Sequence, residues 1–269
     1  MATAFDKEGL PEDLLTSKTI GDRKLKTDGT PRDYFVEVAL GNVPGQTGQG
    51  QVAMTGIATD AGYTAIWGGL SDMIFPVANE SWNISSTSDN DALTGTGSKT
   101  VLINYLDFDY VERSVVVNLD GQTPVQVASD CYRPNNIVVI DSGTLKNNEG
   151  LLVVVDSVSG NPRGFVSPTF GASEDTYLSV PAGKTLLIVK VSPYLGKDDS
   201  GDLKGLVEFL GTNTTITSGT FPVYQNTFDI DFKVPFPVPE KTDLWYSFKS
   251  NSSAPTVVNF VIEYILKDN

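Results

Sequence analysis

The sequence contains no histidine and a single cysteine, Cys131, among its 269 residues. One cysteine cannot form a disulfide within the chain, so the fold has to be held together by its core. Zinc sites built from Cys and His are excluded, and so are mechanisms that need a histidine base, including the Ser-His-Asp triad. We therefore expect no enzyme of these classes.

Basic residues and long apolar runs are also scarce. The 19 Lys and Arg residues face 33 Asp and Glu residues, which gives a formal charge of −14 at pH 7. A surface this acidic repels phosphates, so we expect no direct binding to nucleic acid. No apolar run approaches the roughly 18–20 residues of a membrane helix, and the N-terminal sequence lacks the basic start and apolar centre of a secretory signal. We expect neither a membrane partner nor secretory export.

Short stretches of alternating apolar and polar residues fill the sequence from Tyr34 onwards, beginning with "YFVEVAL" and continuing through "KTVLINYL" and "RSVVVNL". Turns rich in Gly, Pro, Asn and Asp separate them, and "DGQTP" at 120–124 is a turn in which Gly121 tolerates a positive φ. About a dozen short strands at this spacing are typical of sandwiches and barrels. The predicted fold class is all-β: two β-sandwich or jelly-roll-like halves of short antiparallel strands, with an N-terminal arm.

The composition also suggests a division of the chain. Residues 1–33 are polar and mixed in charge, as expected of an arm or leader. Residues 34–160 are predicted to form the first β-sandwich domain and residues 175–269 the second. The stretch 161–174, "NPRGFVSPTFGASE", is predicted to be the linker between them because Pro and Gly interrupt the strand pattern.

The stretch "GTGSKT", which begins at Gly95, resembles a phosphate-binding loop. Ser98 stands where that loop needs its second glycine, and no helix follows that could direct backbone N–H groups at a phosphate. We therefore interpret the stretch as the entry into a strand and expect no nucleotide and no other cofactor.

Acidic turns supply the only candidates for a metal site. Asp107, Asp109 and Glu112 in "DFDYVE" offer oxygen ligands of the kind that Ca²⁺ uses, but their spacing does not fit an EF-hand loop. The alternative is a solvated acidic turn. Paired carboxylates could also hydrolyse sugars, but nothing in the sequence brings two of them to one cleft.

A proline-rich segment near the C-terminus is the candidate interface. Pro235, Phe236, Pro237, Val238 and Pro239 follow one another in "FKVPFPVPEK". Because proline cannot donate to a β-ladder, this segment is predicted to be an edge strand or an extended crossing segment. Its apolar side chains could contact another subunit, or they could lie under a loop.

The order of motifs resembles a family of virion structural proteins of tailed and marine phages. The resemblance covers about residues 38–269 and starts with "VALGNVPGQTG" and "IWGGLSDMIFP". It continues through "GTGSKTVLINYLDFDYVERS", "LDGQTPV", "VPAGKT" and "PEKTD". The family's pattern has Asn-Gly-Thr where this chain has Asp120-Gly121-Gln122, and a glycine where it has Tyr105. The resemblance implies no catalytic residue in this chain.

This resemblance implies a non-enzymatic virion protein. We expect a decoration or cement subunit on the capsid exterior that contacts the major capsid protein or other virion proteins, assembles as a homo-oligomer such as a trimer, and passes through the host cytoplasm during assembly. The alternative is a fibre, spike or knob subunit that binds the host surface as an adhesin. A carbohydrate-active enzyme is the third hypothesis.

Overall fold

The structure is a computed structural model that describes residues 34–58, 61–67, 74–174, 176–196, 199–209, 214–224, 229–254 and 256–269, with the side chains of 49–58 left out. The arm predicted at 1–33 lies outside the described residues. One helix, α1, covers Tyr34–Ala39. The strands β1 to β16 are, in order, Gln46–Ala58, Thr64–Ala65, Glu80–Ser86, Ser98–Leu106, Glu112–Asn118, Val125–Cys131, Arg133–Ser142, Leu152–Asp156, Pro162–Val166, Leu178–Ser179, Lys184–Leu195, Ser200–Phe209, Thr215–Tyr224, Ile230–Val238, Thr242–Ser250 and Thr256–Asp268.

The described strands form two β-sandwiches, which confirms the all-β prediction. In the first, the sheet β6-β3-β8-β9 faces the sheet β5-β4-β7. Apolar residues from both sheets form one core, with Trp82, Ile103 and Leu152 almost fully buried. Burial alternates along β8 from Leu152 to Asp156, because successive side chains of a strand point to opposite faces.

The second sandwich is a jelly roll. Its sheets have the strand orders β1-β16-β11-β14 and β10-β15-β12-β13, with β2 also paired to β15. If β2 and β10 are taken as one strand, the eight strands pair first with last, second with seventh, third with sixth and fourth with fifth. That is the pairing of a long hairpin rolled into two sheets, which defines a jelly roll. Residues such as Ile188, Leu203, Phe248 and Phe260 fill its core.

One strand of the jelly roll is split, and the first sandwich is inserted into it. Thr64 and Ala65 pair with Phe248 and Ser247, while Leu178 and Ser179 pair further along β15. The chain leaves this strand at Ile66 and returns at Thr176, whose N–H and hydroxyl both donate to the Ile66 carbonyl. The first sandwich is therefore an insertion whose two ends meet at one point of the jelly roll.

This topology corrects the predicted domain limits. Strands β1 and β2 lie within the range 34–160 but belong to the sheets of the jelly roll. The predicted linker 161–174 contains β9, an edge strand that pairs with β8. Local composition could not reveal either fact, because both depend on pairing between residues far apart in the sequence.

The prediction of a strand at "YFVEVAL" was wrong. Residues 34–39 are helical, and the chain divides into compact units at 1–48 and 49–269, so α1 lies in the first unit. Gly41 has φ +71°, the Gly41 N–H donates to Val38 and the Asn42 N–H donates to Glu37. This is the Schellman ending of a helix, and the glycine after "EVAL" was the sequence signal for it.

Candidate functional site: strand edges, acidic corner and inter-sandwich junction

The proline-rich segment is β14, the last strand of its sheet in the described part of the chain. The pairs Leu187↔Pro237 and Ile188↔Phe236 belong to the ladder with β11, whose register shifts between Ile188 and Lys190. Since the N–H groups of successive residues point to opposite edges of a strand, and Pro237 has no N–H to donate to its partner Leu187, the donor missing at Pro237 falls on the outer edge. An incoming strand would find too few donors there, so this edge resists strand addition.

Only part of the predicted interface faces outwards. Val238 is 1% exposed and lies in the jelly-roll core, which corrects its assignment as an interface residue. Phe236, Pro237 and Pro239 are exposed, and Pro235 is half-buried. The sequence reasoning missed Val234, whose side chain is 81% exposed. Val234 lies between the paired residues Asp231 and Phe236, where the ladder with β11 shifts register, so the period-two pattern of the sequence did not reveal its exposure.

In the acidic corner, the Asp107 carboxylate is surrounded by hydrogen-bond donors of the chain itself. The Asp107 carboxylate accepts backbone N–H groups from Asp109 and Val111 at 3.0 Å each. Arg113 donates to the same carboxylate from Nε and Nη2, at 2.9 Å each. Burial alone would raise the pKa of Asp107, but the Val111 N–H, the Arg113 side chain and the Asp109 N–H together lower it. The carboxylate is thus held ionised by donors of the chain itself.

The three metal candidates do not converge on one point. Glu112 Oε2 lies 2.7 Å from Lys184 Nζ, which belongs to the jelly roll. Asp107 is committed to its N–H donors, as described above. Across the residues that the structure describes, no group of three or more Cys, Asp or Glu side chains could hold a metal ion. The Asp107 and Glu112 carboxylates therefore have separate partners within the chain.

Replacing Asp107 with asparagine is expected to lower the free energy of unfolding by about 1–2 kcal/mol at neutral pH, because a neutral amide loses the charge-assisted bonds from Arg113. A carboxylate with a lowered folded-state pKa stabilises the fold above its ordinary pKa of about 3.9 and loses that contribution as the pH falls. The difference between the two proteins should therefore vanish in acid. Urea unfolding across that pH range measures it, and a pH-independent difference would contradict this account.

Tyr110, at the tip of the corner, enters the junction between the two sandwiches. It has φ +63°, a conformation that few bulky residues adopt, and its side chain is fully buried. Tyr110 OH donates to Asp243 Oδ2 at 3.2 Å, and its N–H donates to the Asp107 carbonyl at 2.8 Å. Burial and then the Asp243 charge raise the pKa of Tyr110, so the hydroxyl remains a donor.

The centre of the junction is a buried ion pair between the sandwiches. Arg133 Nε lies 2.8 Å from Asp243 Oδ2, and both side chains are at most 5% exposed. Ser179 Oγ donates to Asp243 Oδ1 at 2.6 Å. The Arg133 guanidinium lies 3.8 Å from the ring centroid of Tyr132 and 4.7 Å from that of Phe75. Burial is the largest single influence and lowers the pKa of Arg133, but the charge and hydrogen bond of Asp243 together with the neighbouring tyrosines Tyr110 and Tyr132 raise it overall.

A second buried arginine of the inserted sandwich, Arg163, binds residues 74–76, the segment that Arg133 also contacts. Arg163 Nε and Nη2 donate to the two carboxylate oxygens of Glu80 at 2.8 and 2.9 Å. Its Nη1 donates to the Ile74 carbonyl at 2.7 Å, while Arg133 Nη1 donates to the Pro76 carbonyl at 2.9 Å. The two arginines fix residues 74–76 between the sandwiches. Neither had been recognised from the sequence, since an isolated arginine gives no signal of burial.

The stretch that resembles a phosphate-binding loop wraps a carboxylate instead. Asp91 is fully buried and accepts hydrogen bonds from Ser86 Oγ and from the N–H groups of Ser98, Glu149 and Gly150, at 2.6 to 2.9 Å. A Cβ at Gly97 would lie 2.2 Å from Asp91 Oδ1. A Cβ at Gly95 would lie 2.0 Å from the Asn90 carbonyl oxygen. The glycines are thus required by close packing around an internal carboxylate.

No helix in the described part of the chain is long and apolar enough to cross a membrane.

No protein-family model matches the sequence. No curated protein matches it either. Among solved structures, the infectious bursal disease virus Gx strain aligns at a TM-score of 0.22 and 8% identity, over 87% of this chain and 81% of that chain. The VP2 subviral particle of the same virus aligns at 0.21 and 8%, over 88% and 78%. A clostridial cysteine protease, Cwp84 after propeptide cleavage, aligns at 0.20 and 9%, over 72% of each chain. Scores this low do not establish a common fold, so the jelly-roll assignment rests on the strand order alone.

Proposed function

We propose that this protein is a non-enzymatic structural subunit of a phage virion, mounted on the capsid exterior as a decoration or cement protein. The sequence resemblance over residues 38–269 supports the virion role. The jelly roll supports it as well, because that double-sheet fold recurs in viral capsid proteins, although it also occurs in lectins and cupins. The acidic composition, −14 in formal charge, suits an exterior position away from the packaged nucleic acid.

The outer edge of β14 is the observation that carries the proposal. Val234 is 81% exposed and Phe236 is 42% exposed, and they lie two residues apart on an edge strand in which proline opposes strand addition. Such an edge can present apolar side chains to a neighbouring subunit without pairing with further strands and aggregating. A cement subunit needs this kind of contact, since it stabilises a shell by binding the assembled form.

The junction supports the same role in a second way. The buried ion pair Arg133–Asp243 connects the inserted sandwich to the jelly roll. A second ion pair, Lys184–Glu112, also joins them but is partly exposed. Two sandwiches held by buried polar contacts form a rigid spacer. A rigid body loses less freedom when it bridges two subunits than a flexible one would, which favours binding.

Substituting aspartate at both Val234 and Phe236 is expected to weaken binding to purified capsids by at least about tenfold, because two charges would have to be desolvated at the contact. Val234 is largely exposed, whereas the Phe236 ring is 42% exposed and its centroid lies 6.3 Å from that of Phe232, so urea unfolding of each variant is measured alongside binding to show that the fold is kept. Val158→Asp is the matched control: Val158 is 92% exposed on a turn of the inserted sandwich. Sedimentation of the variants with capsids measures binding, and equal loss in the control would contradict a role for β14.

Cryo-electron microscopy of phage particles that carry the protein tests its location. Density at every capsomer is expected for a cement subunit. Density restricted to the tail or the vertices would overturn that location and favour the fibre, spike or knob alternative.

Homo-oligomerisation, with a trimer as the expected state, is measured on the purified protein by analytical ultracentrifugation.

A further inference from the structure

A cleft lies between the inserted sandwich and the jelly roll, and we propose that it binds a short neutral saccharide. This inference does not depend on the proposed virion role. The cleft has a volume of about 660 Å³. Sites for small molecules typically measure about 300–1,000 Å³, so the space suits a sugar of a few rings and is too small for a folded partner.

The two walls of the cleft differ in chemistry. Asn104 and Asn136 come from β4 and β7 of the inserted sandwich, and Leu178 and Leu266 come from the jelly roll. Asn104 Nδ2 donates to Asn136 Oδ1 at 2.6 Å, which leaves the amide N–H groups of Asn136 able to donate to a ligand. Sugars present hydroxyl groups at the ring edge and C–H groups on the ring face. An amide wall opposite an aliphatic wall matches both.

An aromatic residue and a carboxylate complete the lining. Phe170 is half exposed, so its ring is available for stacking against a sugar face. Glu174 is 7% exposed, and its Oε2 has no hydrogen-bond partner in the described part of the chain. A buried carboxylate oxygen without a donor is costly, and a sugar hydroxyl is a donor that would satisfy it.

The charge of the cleft decides between neutral and anionic ligands. Glu112 also lines it, but Glu112 is neutralised by Lys184 at 2.7 Å. The Glu174 charge has no cationic partner among the described residues, so the cleft is negative overall. Burial raises the pKa of Glu174 although the Ser167 side chain hydrogen-bonds to its carboxylate and lowers it. An acidic sugar or a phosphate would add to that charge, whereas a neutral sugar would relieve the unsatisfied oxygen.

Titration calorimetry and saturation-transfer NMR with a panel of neutral sugars test the proposal. The probes are glucose, galactose, mannose, N-acetylglucosamine and their disaccharides, with sialic acid and glucuronic acid as acidic counterparts. We expect at least one neutral sugar to bind saturably. The acidic sugars should bind at least about tenfold more weakly, because their carboxylate is repelled by the Glu174 carboxylate. Absence of binding by every neutral probe, or equal binding of acidic ones, would overturn the proposal.

Two substitutions locate the binding in the cleft. Phe170→Ala and Glu174→Gln should each weaken binding by about tenfold, through loss of stacking and of a charge-assisted hydrogen bond respectively. Tyr224→Ala is the control, because Tyr224 is an exposed aromatic residue on β13, away from the cleft lining. Sugar binding that survives both substitutions, or that Tyr224→Ala weakens as much, would place the ligand elsewhere.

Glu174→Gln has a second readout that a structural residue would not give. A carboxylate whose folded-state pKa is raised destabilises the fold once the pH exceeds its unfolded value, since the folded state resists the charge. The variant should therefore melt at a higher temperature than the parent at neutral pH while binding sugar more weakly. Loss of both stability and binding would instead identify Glu174 as a packing residue.

Discussion

Replacing Arg133 with methionine is expected to lower the free energy of unfolding by about 3–5 kcal/mol, the typical cost of leaving a buried charge without its partner. The uncompensated group would be Asp243, which is buried and would keep the side-chain donors Ser179 and Tyr110. The Pro76 carbonyl would also lose its donor, and the rings of Phe75 and Tyr132 would lose the guanidinium between them. Urea unfolding at neutral pH measures the change.

Two further variants make this prediction specific. Adding Asp243→Asn to Arg133→Met removes the orphaned charge while keeping an acceptor for Ser179, so the double variant should recover part of the loss. Lys190→Met is the matched control, because Lys190 and Asp229 form a pair at 3.0 Å whose side chains are 25% and 45% exposed. Exposed ion pairs contribute little to stability, because water and salt screen them. A loss at Arg133 no larger than at Lys190 would show that the junction does not hold the sandwiches.

Gly95→Ala is expected to destabilise the protein by more than about 3 kcal/mol, because a backbone would have to move to accommodate one methyl group. The added Cβ would lie 2.0 Å from the Asn90 carbonyl oxygen, and contacts under 3.0 Å essentially never occur for real Cβ atoms. Displacing Asn90 would disturb its neighbour Asp91 and thus the four donors gathered around that carboxylate. Thermal and urea unfolding both report the effect.

Gly62→Ala provides the comparison for this variant. A Cβ at Gly62 meets nothing within 4 Å and its φ is not in the left-handed region, so alanine should be neutral or slightly stabilising there. Similar losses at Gly95 and Gly62 would mean that chain flexibility, and not close packing, explains the glycines. A neutral Gly95→Ala would also contradict the packing of the loop around Asp91.

The turn at 120–124 and the edge position of the proline segment show what local sequence can predict. Gly121 has φ +60°, and the Thr123 N–H donates to the Asp120 carbonyl at 3.0 Å, as expected for a turn in "DGQTP". β14 is an edge strand, as its prolines required. Both features depend on the backbone chemistry of one or two residues and need no distant partner.

The helix at 34–39 shows how a local pattern can mislead. The seven residues of "YFVEVAL" were interpreted as a strand, but Glu37 is the one charged residue among them, so a stretch this short is equally compatible with a helical turn. The Schellman hydrogen bonds to Glu37 and Val38 decide for the helix. The glycine that permits them is visible in the sequence, although its role is clear only from the bonds.

The sequence by itself determined the all-β class, the absence of histidine and disulfide chemistry, and the turns, because alternation and special backbone residues act over a few positions. Only the tertiary structure decided that a sandwich is inserted into a split jelly-roll strand, that Arg133 meets Asp243 across 110 positions, and that Glu174 lines a cleft. Strand partners and buried charges are selected by the register and packing of distant segments. The two members of such a pair, like Arg133 and Asp243, lie far apart in the sequence, so only the complete fold brings them into contact.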